Sequence, residues 1–172
     1  FLLGDEVWWN TPKEHRLKLF DGIFAYNMYI NKGQRMDGGR VVSNGPTGES
    51  YLEMIVPYER AYYKATKKLG IKYFPTVLPG YNDRGVRYDV NHYVIPRQHG
   101  KFFNQYLQHS QQFLADNVLL VTSFNEWYED SQLEPVVENP TEVKDDRDLT
   151  NSANYETYGL RYLQILKDFK GR

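Results

Sequence analysis

Residues 118–130 read VLLVTSFNEWYED, an apolar run that gives way to a polar and aromatic turn. The run at residues 118–121 predicts a buried strand, because parallel strands covered on both faces are almost continuously apolar. In parallel α/β folds, catalytic groups collect at the carboxyl ends of the strands. Here that end carries two carboxylates three residues apart, Glu126 and Glu129, beside Trp127. Paired carboxylates next to aromatic rings are typical of sites that cleave glycosidic bonds.

A strand followed by a helix occurs four times along the chain. The predicted strands cover residues 1–3 (or 1–7), 22–29, 71–77 and 118–124. The predicted helices begin near Thr11-Pro12 and cover about residues 49–69, 100–115 and 155–169. Pro57 should kink or divide the second helix, and Gly70 should end it. The connections include a Gly-rich loop at residues 32–48 and a long polar loop at residues 136–153.

This repetition predicts an α/β fold with parallel strands joined by right-handed crossovers. Four such units make half of a (β/α)8 TIM barrel, a fold that typically needs about 250 residues, and this chain has 172. We interpret residues 1–172 as a single domain that supplies about four units. Four more units upstream, or a second copy of the chain, would close the barrel. The alternative is a self-contained open doubly wound parallel sheet.

Composition excludes several classes of function. The net charge of −1 gives no basic excess that would indicate nucleic acid or an anionic membrane. The apolar runs are shorter than the roughly 20 residues of a membrane span. Cysteine is absent, and the sequence has no helical His pair, phosphate-binding loop, dinucleotide motif or nucleophile elbow. We therefore expect no metal and no cofactor.

Aromatic residues make up 16% of the chain, including 15 Tyr. They indicate either a Tyr-rich core or a surface that recognises sugars, because an aromatic ring offers a flat apolar face with a polar edge.

The pair Glu126 and Glu129 is the leading candidate for catalysis. If the turn curls like a helix, side chains three residues apart face the same way. Two close carboxylates repel, so the pKa of one rises and that group can act as an acid while the other stays ionised. Asn125 and Trp127 could then place the sugar. The alternative is a solvated acidic turn that also includes Asp130 and Glu134.

Two further segments could contribute to the same site. Residues 79–83, PGYND, follow the third strand, where Tyr81 and Asp83 could reach the site together with Arg87, a rigid hydrogen-bond donor. The alternative for this segment is a solvated Pro-Gly turn. Tyr26 lies near the end of the second strand, and it faces either the site or the core because alternate strand residues point in opposite directions.

Residues 122–129, TSFNEWYE, with residues 131–134, SQLE, resemble the signature of glycoside hydrolase family 99. That family comprises endo-α-mannosidases and is related to the WbsX-like polysaccharide-biosynthesis proteins. Residues 79–83 with Arg87, residues 20–26 and residues 97–103 resemble further blocks of the family, in the same order. The chain is thus similar to the C-terminal half of the family's catalytic domain.

The resemblance implies a (β/α)8 barrel and a retaining hydrolase that acts within α-mannoside chains without a metal. It implies that Glu126 deprotonates the sugar's 2-hydroxyl, which attacks the anomeric carbon to form a 1,2-anhydro intermediate. Glu129 would protonate the leaving oxygen and then activate water. Tyr26 and Arg87 match positions that line the sugar subsite, and Glu134 matches the acidic residue that ends the signature. The implied partner is an oligosaccharide or polysaccharide, in the secretory pathway (Golgi) or in an extracellular or periplasmic compartment.

The chain departs from the family pattern at two positions beside the pair. Tyr128 stands where His is usual, and Asp130 stands where Gly is usual. The loop at residues 31–49 is also longer. These differences bear on mannoside specificity more than on the hydrolase class. Two other functions stay open: a glycan-binding protein without catalysis, and a WbsX-like sugar-transferring role in surface-polysaccharide synthesis.

Overall fold

The computed structural model describes residues 1–7, 11–27, 34–37, 40–43, 49–83, 92–137 and 157–171. The strands are β1 (Leu3–Asp5), β2 (Gly22–Phe24), β3 (Gln34–Asp37), β4 (Arg40–Ser43), β5 (Lys72–Tyr73), β6 (Thr76–Val77), β7 (Tyr81–Asn82), β8 (His92–Ile95) and β9 (Leu120–Val121). The helices are α1 (Glu14–Leu17), α2 (Glu49–Leu69), α3 (Lys101–Ser110) and α4 (Arg161–Lys170).

The parallel strands follow one another across the sheet in chain order. Strands β1, β2 and β5 pair in that order, and β6 pairs with β9. Pro75 links the two groups, because its carbonyl accepts a 3.0 Å hydrogen bond from the amide of Leu120. Strands that never reverse their order are typical of a barrel, whereas a doubly wound sheet reverses at its switch point.

The predicted parallel strands are confirmed, but they are shorter than predicted. The third strand, predicted at residues 71–77, is divided into β5 and β6 on either side of Phe74 and Pro75, and proline has no N–H to donate to a ladder. The fourth, predicted at residues 118–124, is confined to β9.

Helix boundaries are partly as predicted. Helix α2 covers residues 49–69 as expected and ends before Gly70, whose φ of +71° is the left-handed conformation that favours glycine after a helix. Of the two outcomes predicted for Pro57, division of the helix is wrong, because Pro57 lies inside an unbroken α2. The start predicted at Thr11-Pro12 is also wrong: Lys13 is still outside the helical region, and α1 begins at Glu14.

The last two helices are shorter than predicted. Helix α3 ends at Ser110 and continues only as a short 3-10 turn, Gln111–Phe113. Helix α4 begins at Arg161, and residues 155 and 156 lie outside the described residues. Leu160, which falls inside the predicted helix at residues 155–169, precedes α4 and is exposed.

An antiparallel sheet is present that the sequence interpretation did not include. Its strands run in the order β4, β3, β8, β7. Strands β3 and β4 lie within residues 32–48, so the interpretation of that stretch as a loop is wrong in this part. Strand β7 begins at Tyr81, so this sheet continues directly from the predicted site segment.

The core is rich in tyrosine, which was one of the two interpretations of the high aromatic content. Tyr51 and Tyr62 of α2 and Tyr162 of α4 are fully buried. Aromatic rings join the helices edge to face, with centroids 5.9 Å apart for Tyr51–Phe102 and 5.7 Å apart for Phe103–Tyr162. Such pairs stabilise a core beyond the area they bury. Within the described residues, no helix combines the length and the apolar composition that a bilayer span requires.

Candidate active site

The loops that follow β2, β6 and β9 meet at one end of the parallel strands. The Thr122 hydroxyl, directly after β9, donates a 2.6 Å hydrogen bond to the carbonyl of Tyr26, which follows β2. The Thr122 amide donates to the carbonyl of Val77, the last residue of β6, at 2.9 Å. The backbone amide of Tyr26 donates to the Asp5 carboxylate at 3.1 Å, which ties in the end of β1. The predicted site segments therefore share one rim of the sheet.

The signature stretch folds into a closed loop, here called the Ser123–Glu134 loop. The Ser123 amide donates to the Ser131 carbonyl at 2.9 Å, and the Glu134 amide donates to the Phe124 carbonyl at 2.8 Å. The Ser123 hydroxyl also accepts a 2.8 Å bond from the amide of Glu126. These bonds join the two ends of the loop, so its polar middle is held at a defined place on the rim.

Glu129 is bound by side chains from two other loops. Its Oε1 accepts a 3.2 Å hydrogen bond from the Tyr81 hydroxyl, and its Oε2 lies 3.5 Å from the Asn27 side-chain nitrogen, a donor. The backbone amide of Asn82 also donates to the Glu129 carbonyl, at 2.8 Å. Tyr81 and Asn27 are buried, so the carboxylate of Glu129 is oriented by fixed donors.

Glu126 lies on the same loop, and its Oε1 accepts a 3.2 Å bond from the backbone amide of Tyr128. The pKa of Tyr26 is raised first by burial and then by the negative charges of Glu126 and Glu129. The phenol therefore lies within the field of both carboxylates and stays a neutral hydrogen-bond donor. Both glutamates are half-buried.

The other predicted site residues differ in exposure. Trp127 is 45% exposed, and its indole N–H donates to Glu134 at 3.1 Å. Asn125 is exposed. Asp83 is 2% exposed, so its carboxylate is not presented to solvent. Arg87 lies outside the described residues.

Sequence reasoning missed two contributors. Asn27 donates to Glu129 from 102 positions away in the chain, and no spacing rule indicates such a contact. Asp130, grouped in the sequence with solvated acids, is instead buried and paired with Arg97 at 2.9 Å. The position of Asp130 directly after the two candidate acids does not indicate that it pairs with Arg97, which is 33 residues away. In the parts of the chain that the structure describes, no cluster of three His, Asp or Glu side chains could hold a metal ion.

Comparison with known proteins shows which family this chain belongs to. The model of glycosyl hydrolase family 99 matches residues 51–169, which is more than half of the chain. The chain belongs to glycosyl hydrolase family 99. The resemblance seen in the sequence is thereby confirmed, and the match includes the whole Ser123–Glu134 loop.

Relatives by sequence are longer proteins. A human protein described as glycoprotein endo-alpha-1,2-mannosidase-like protein is 31% identical over 159 residues, which are 84% of this chain and 33% of the relative. Its Mus musculus counterpart of the same description is 33% identical over 86 residues, 48% of this chain and 19% of the relative. The chain thus spans about a third of the human relative's length.

Solved structures are similar in fold. The family 99 endo-alpha-mannosidase from Bacteroides thetaiotaomicron superposes with a TM-score of 0.53 at 22% identity, over 94% of this chain and 43% of that one. A glycoside hydrolase-like protein gives a TM-score of 0.56 at 20% identity, over 87% of this chain and 37% of that one. These neighbours confirm a fold of TIM-barrel type, of which this chain forms a part, rather than the open doubly wound alternative.

Proposed function

We propose that this chain supplies the catalytic loop of a retaining glycoside hydrolase that cleaves within α-mannoside glycans. The proposal is carried by one observation: Glu126 and Glu129 lie on one closed loop at the rim, where Tyr81 and Asn27 hold the Glu129 carboxylate. Family membership supports the hydrolase class. The names of the relatives, which are endo-alpha-1,2-mannosidase-like proteins, support an α-mannoside substrate.

The proposed reaction uses the two glutamates in different roles. Glu126 takes the proton of the sugar's 2-hydroxyl, whose oxygen attacks the anomeric carbon as the glycosidic bond breaks. Glu129 gives its proton to the departing oxygen. In the second step Glu129 takes a proton from water, which opens the 1,2-anhydro ring at the anomeric carbon, and Glu126 returns its proton to the 2-oxygen. Two inversions at one carbon give net retention.

The surroundings of the pair suit these roles. The hydroxyl of Tyr81 and the side-chain amide of Asn27 orient Glu129 without blocking the loop from solvent. The neutral phenol of Tyr26 can donate to the sugar between the two acids. The exposed ring of Trp127, fixed by Glu134, offers a flat apolar face on which a sugar ring can stack.

The remaining predicted ligands complete this proposal. Asn125 is exposed on the loop and can hydrogen-bond hydroxyls, and Arg87 is proposed as a further donor. Asp83 is proposed to contribute from a buried position.

The rest of the barrel is proposed to come from another part of the polypeptide or from a second copy. This chain covers 43% to 45% of the solved endo-alpha-mannosidase chains, and residues 1–172 are proposed to be the C-terminal part of that catalytic domain. Phe1 and Leu2, which lead into β1, are exposed apolar side chains suited to such a contact.

The test is a product analysis on the full natural polypeptide with an α-1,2-linked manno-oligosaccharide. We expect internal cleavage, with the α anomer released first in proton NMR, because the configuration is retained. Glu126→Gln and Glu129→Gln should each lower kcat by about a thousandfold or more while the melting temperature stays within a few degrees. Heat of binding in calorimetry without any product would instead identify a glycan-binding protein, and a first-formed β anomer would refute the retaining mechanism.

A further inference from the structure

Arg97 binds the Ser123–Glu134 loop at residues that follow the candidate acids in sequence. Its Nε donates to the Asp130 carboxylate at 2.9 Å, and its Nη2 donates to the backbone carbonyls of Asp130 and Gln132, each at 2.9 Å. The Arg97 side chain is 2% exposed. Three charge-assisted bonds from one buried guanidinium therefore reach the segment that directly follows Glu129.

Aromatic rings enclose the same guanidinium. Its central carbon lies 5.0 Å from the ring centroid of Tyr158 and 4.9 Å from that of Tyr162. The Tyr158 hydroxyl donates to the carbonyls of Gln132, at 3.2 Å, and Glu134, at 2.7 Å. Burial, the largest single influence, works to lower the pKa of Arg97, but Asp130, Tyr162 and Tyr158 together outweigh it, so the pKa lies above its usual value and the cation stays charged.

The backbone at Asp130 explains why an anchor is needed there. Asp130 has a φ of +46°, in the left-handed region that residues other than glycine adopt only when their surroundings hold them. On one side of this bend the Glu129 carboxylate meets Tyr81, and on the other the Asp130 carboxylate meets Arg97. The bend therefore separates two adjacent carboxylates, and Arg97 balances the charge of the inner one.

We propose that Arg97 is a positioning residue: its bonds to Asp130 and Gln132 fix the bend that places the Glu129 carboxylate in the site. The inference rests on the proposed function, because it assigns Glu129 a chemical step. Arg97 itself contacts neither the sugar nor the reacting atoms. A misplacement of about 1 Å in a catalytic group lowers turnover by roughly a hundredfold, so the anchor should govern kcat.

The test compares Arg97→Met with Arg97→Lys in the full natural polypeptide, with an α-1,2-linked manno-oligosaccharide as the substrate. Arg97→Met should lower kcat by about 10- to 100-fold and change KM by less than about threefold, because the chemical step is affected and binding is not. Arg97→Lys should recover at least about threefold of that loss, since it keeps a charge opposite Asp130 but loses the guanidinium's fork of donors. Asp130→Asn, which keeps the oxygen acceptor and removes the charge, gives a milder variant with an expected loss of about three- to tenfold.

Leu107→Ala is the matched control, because Leu107 is fully buried in α3 and its truncation lowers stability while leaving in place the hydrogen bonds that join Arg97 to the loop. At a temperature well below melting it should keep the wild-type kcat. An Arg97→Met variant with wild-type kcat, or one whose loss equals that of Leu107→Ala at matched stability, would overturn the inference.

Amide hydrogen exchange separates failure of this inference from failure of the proposed function. The amides of Ser131, Leu133 and Glu134 donate to carbonyls within the loop, so Arg97→Met should speed their exchange about tenfold or more and Leu107→Ala should not. If the protein cleaves no mannoside, the proposed function fails, and unchanged exchange in Arg97→Met still refutes the anchor. If the protein cleaves and exchange does not change, the anchor alone is refuted.

Discussion

Two glutamates of this chain, Glu129 and Glu59, lie in opposite kinds of surroundings. Glu129 lies half-buried on the Ser123–Glu134 loop and binds the Tyr81 hydroxyl. Glu59 is fully buried in α2, where it binds His109 at 2.6 Å and the Tyr73 hydroxyl at 3.3 Å. Each therefore has a buried tyrosine as a donor, and only Glu129 can be reached by a substrate.

The comparison teaches that a shifted pKa alone does not mark a catalytic acid. Burial raises the pKa of Glu59, and its bonds to His109 and Tyr73 offset only part of that rise. Perturbed carboxyl groups occur in structural networks as well as in active sites. Glu59 joins α2 to α3 through His109, whereas Glu129 lies on the Ser123–Glu134 loop and binds Tyr81 and Asn27.

The largest expected effect is a difference in kcat between variants of Glu129 and of Glu59. Glu129→Gln should lower kcat by about a thousandfold or more, while Glu59→Gln, which changes no atom near the rim, should keep kcat within about twofold. Steady-state assays of both variants under one condition provide the measurement. A comparable loss of kcat in the two variants would mean that the contrast between site and scaffold is wrong.

A smaller effect is expected for the two tyrosine donors, which form a matched pair. Tyr81→Phe removes the hydroxyl that orients Glu129 and should lower kcat about tenfold with little change in KM. Tyr73→Phe removes the equivalent hydroxyl from Glu59 and should lower stability by about 1 kcal/mol without changing kcat. Activity assays combined with urea unfolding distinguish the two variants. A loss of kcat in Tyr73→Phe and not in Tyr81→Phe would show that the assignment of the chemistry to Glu129 is wrong.

The pH dependence of stability should reveal Glu59. Its pKa in the folded protein is raised, so its contribution to stability is fully present below its pKa in the unfolded chain. The contribution is lost as the pH rises toward the raised value, with a slope of at most about 1.4 kcal/mol per pH unit. Glu59→Gln should remove this slope, so urea unfolding between pH 4.5 and 8 should favour the variant increasingly as the pH rises. Parallel curves for the two proteins would contradict the expectation.

The smallest effect concerns the exposed ring of the rim. Trp127→Phe keeps an aromatic face but loses the indole donor to Glu134. KM for an α-1,2-linked manno-oligosaccharide should rise about threefold, and kcat should stay near that of the wild type, because stacking contributes to binding. Tyr63→Phe, whose ring packs against that of Phe113, is a control that should leave both constants unchanged. A fall in kcat without a change in KM would show that Trp127 acts on the chemical step.

Local rules predicted the parts of this chain whose cause is local. Helix α2 followed from the spacing of its apolar residues and from Gly70, whose left-handed backbone ends it. The parallel strands followed from apolar runs at regular intervals, and the family followed from residues 122–134. The extent of the strands did not, because Pro75 interrupts the run at residues 71–77 that the pattern predicts as one strand.

The site was predictable as a list of residues and not as a set of contacts. Glu126 and Glu129 could be named as candidates from their spacing, but the closure of their loop depends on bonds such as Ser123 to Ser131, and the orientation of Glu129 depends on the distant Asn27. The ion pair between Arg97 and Asp130 likewise exists only in three dimensions. The antiparallel sheet was missed although residues 38 and 39 are Gly-Gly, a pair common in hairpin turns.

The backbone bond from Asn82 to Glu129 bears on attempts to redesign this protein. Consider a chimaera that receives the signature segment of a homologue but keeps its own stretch after β6. The backbone of the transplanted glutamate would then be bound by a segment from a different protein. Specificity in such a scaffold is therefore not modular. A successful exchange would transfer the segments around Asn27, Asn82 and Arg97 in the same step.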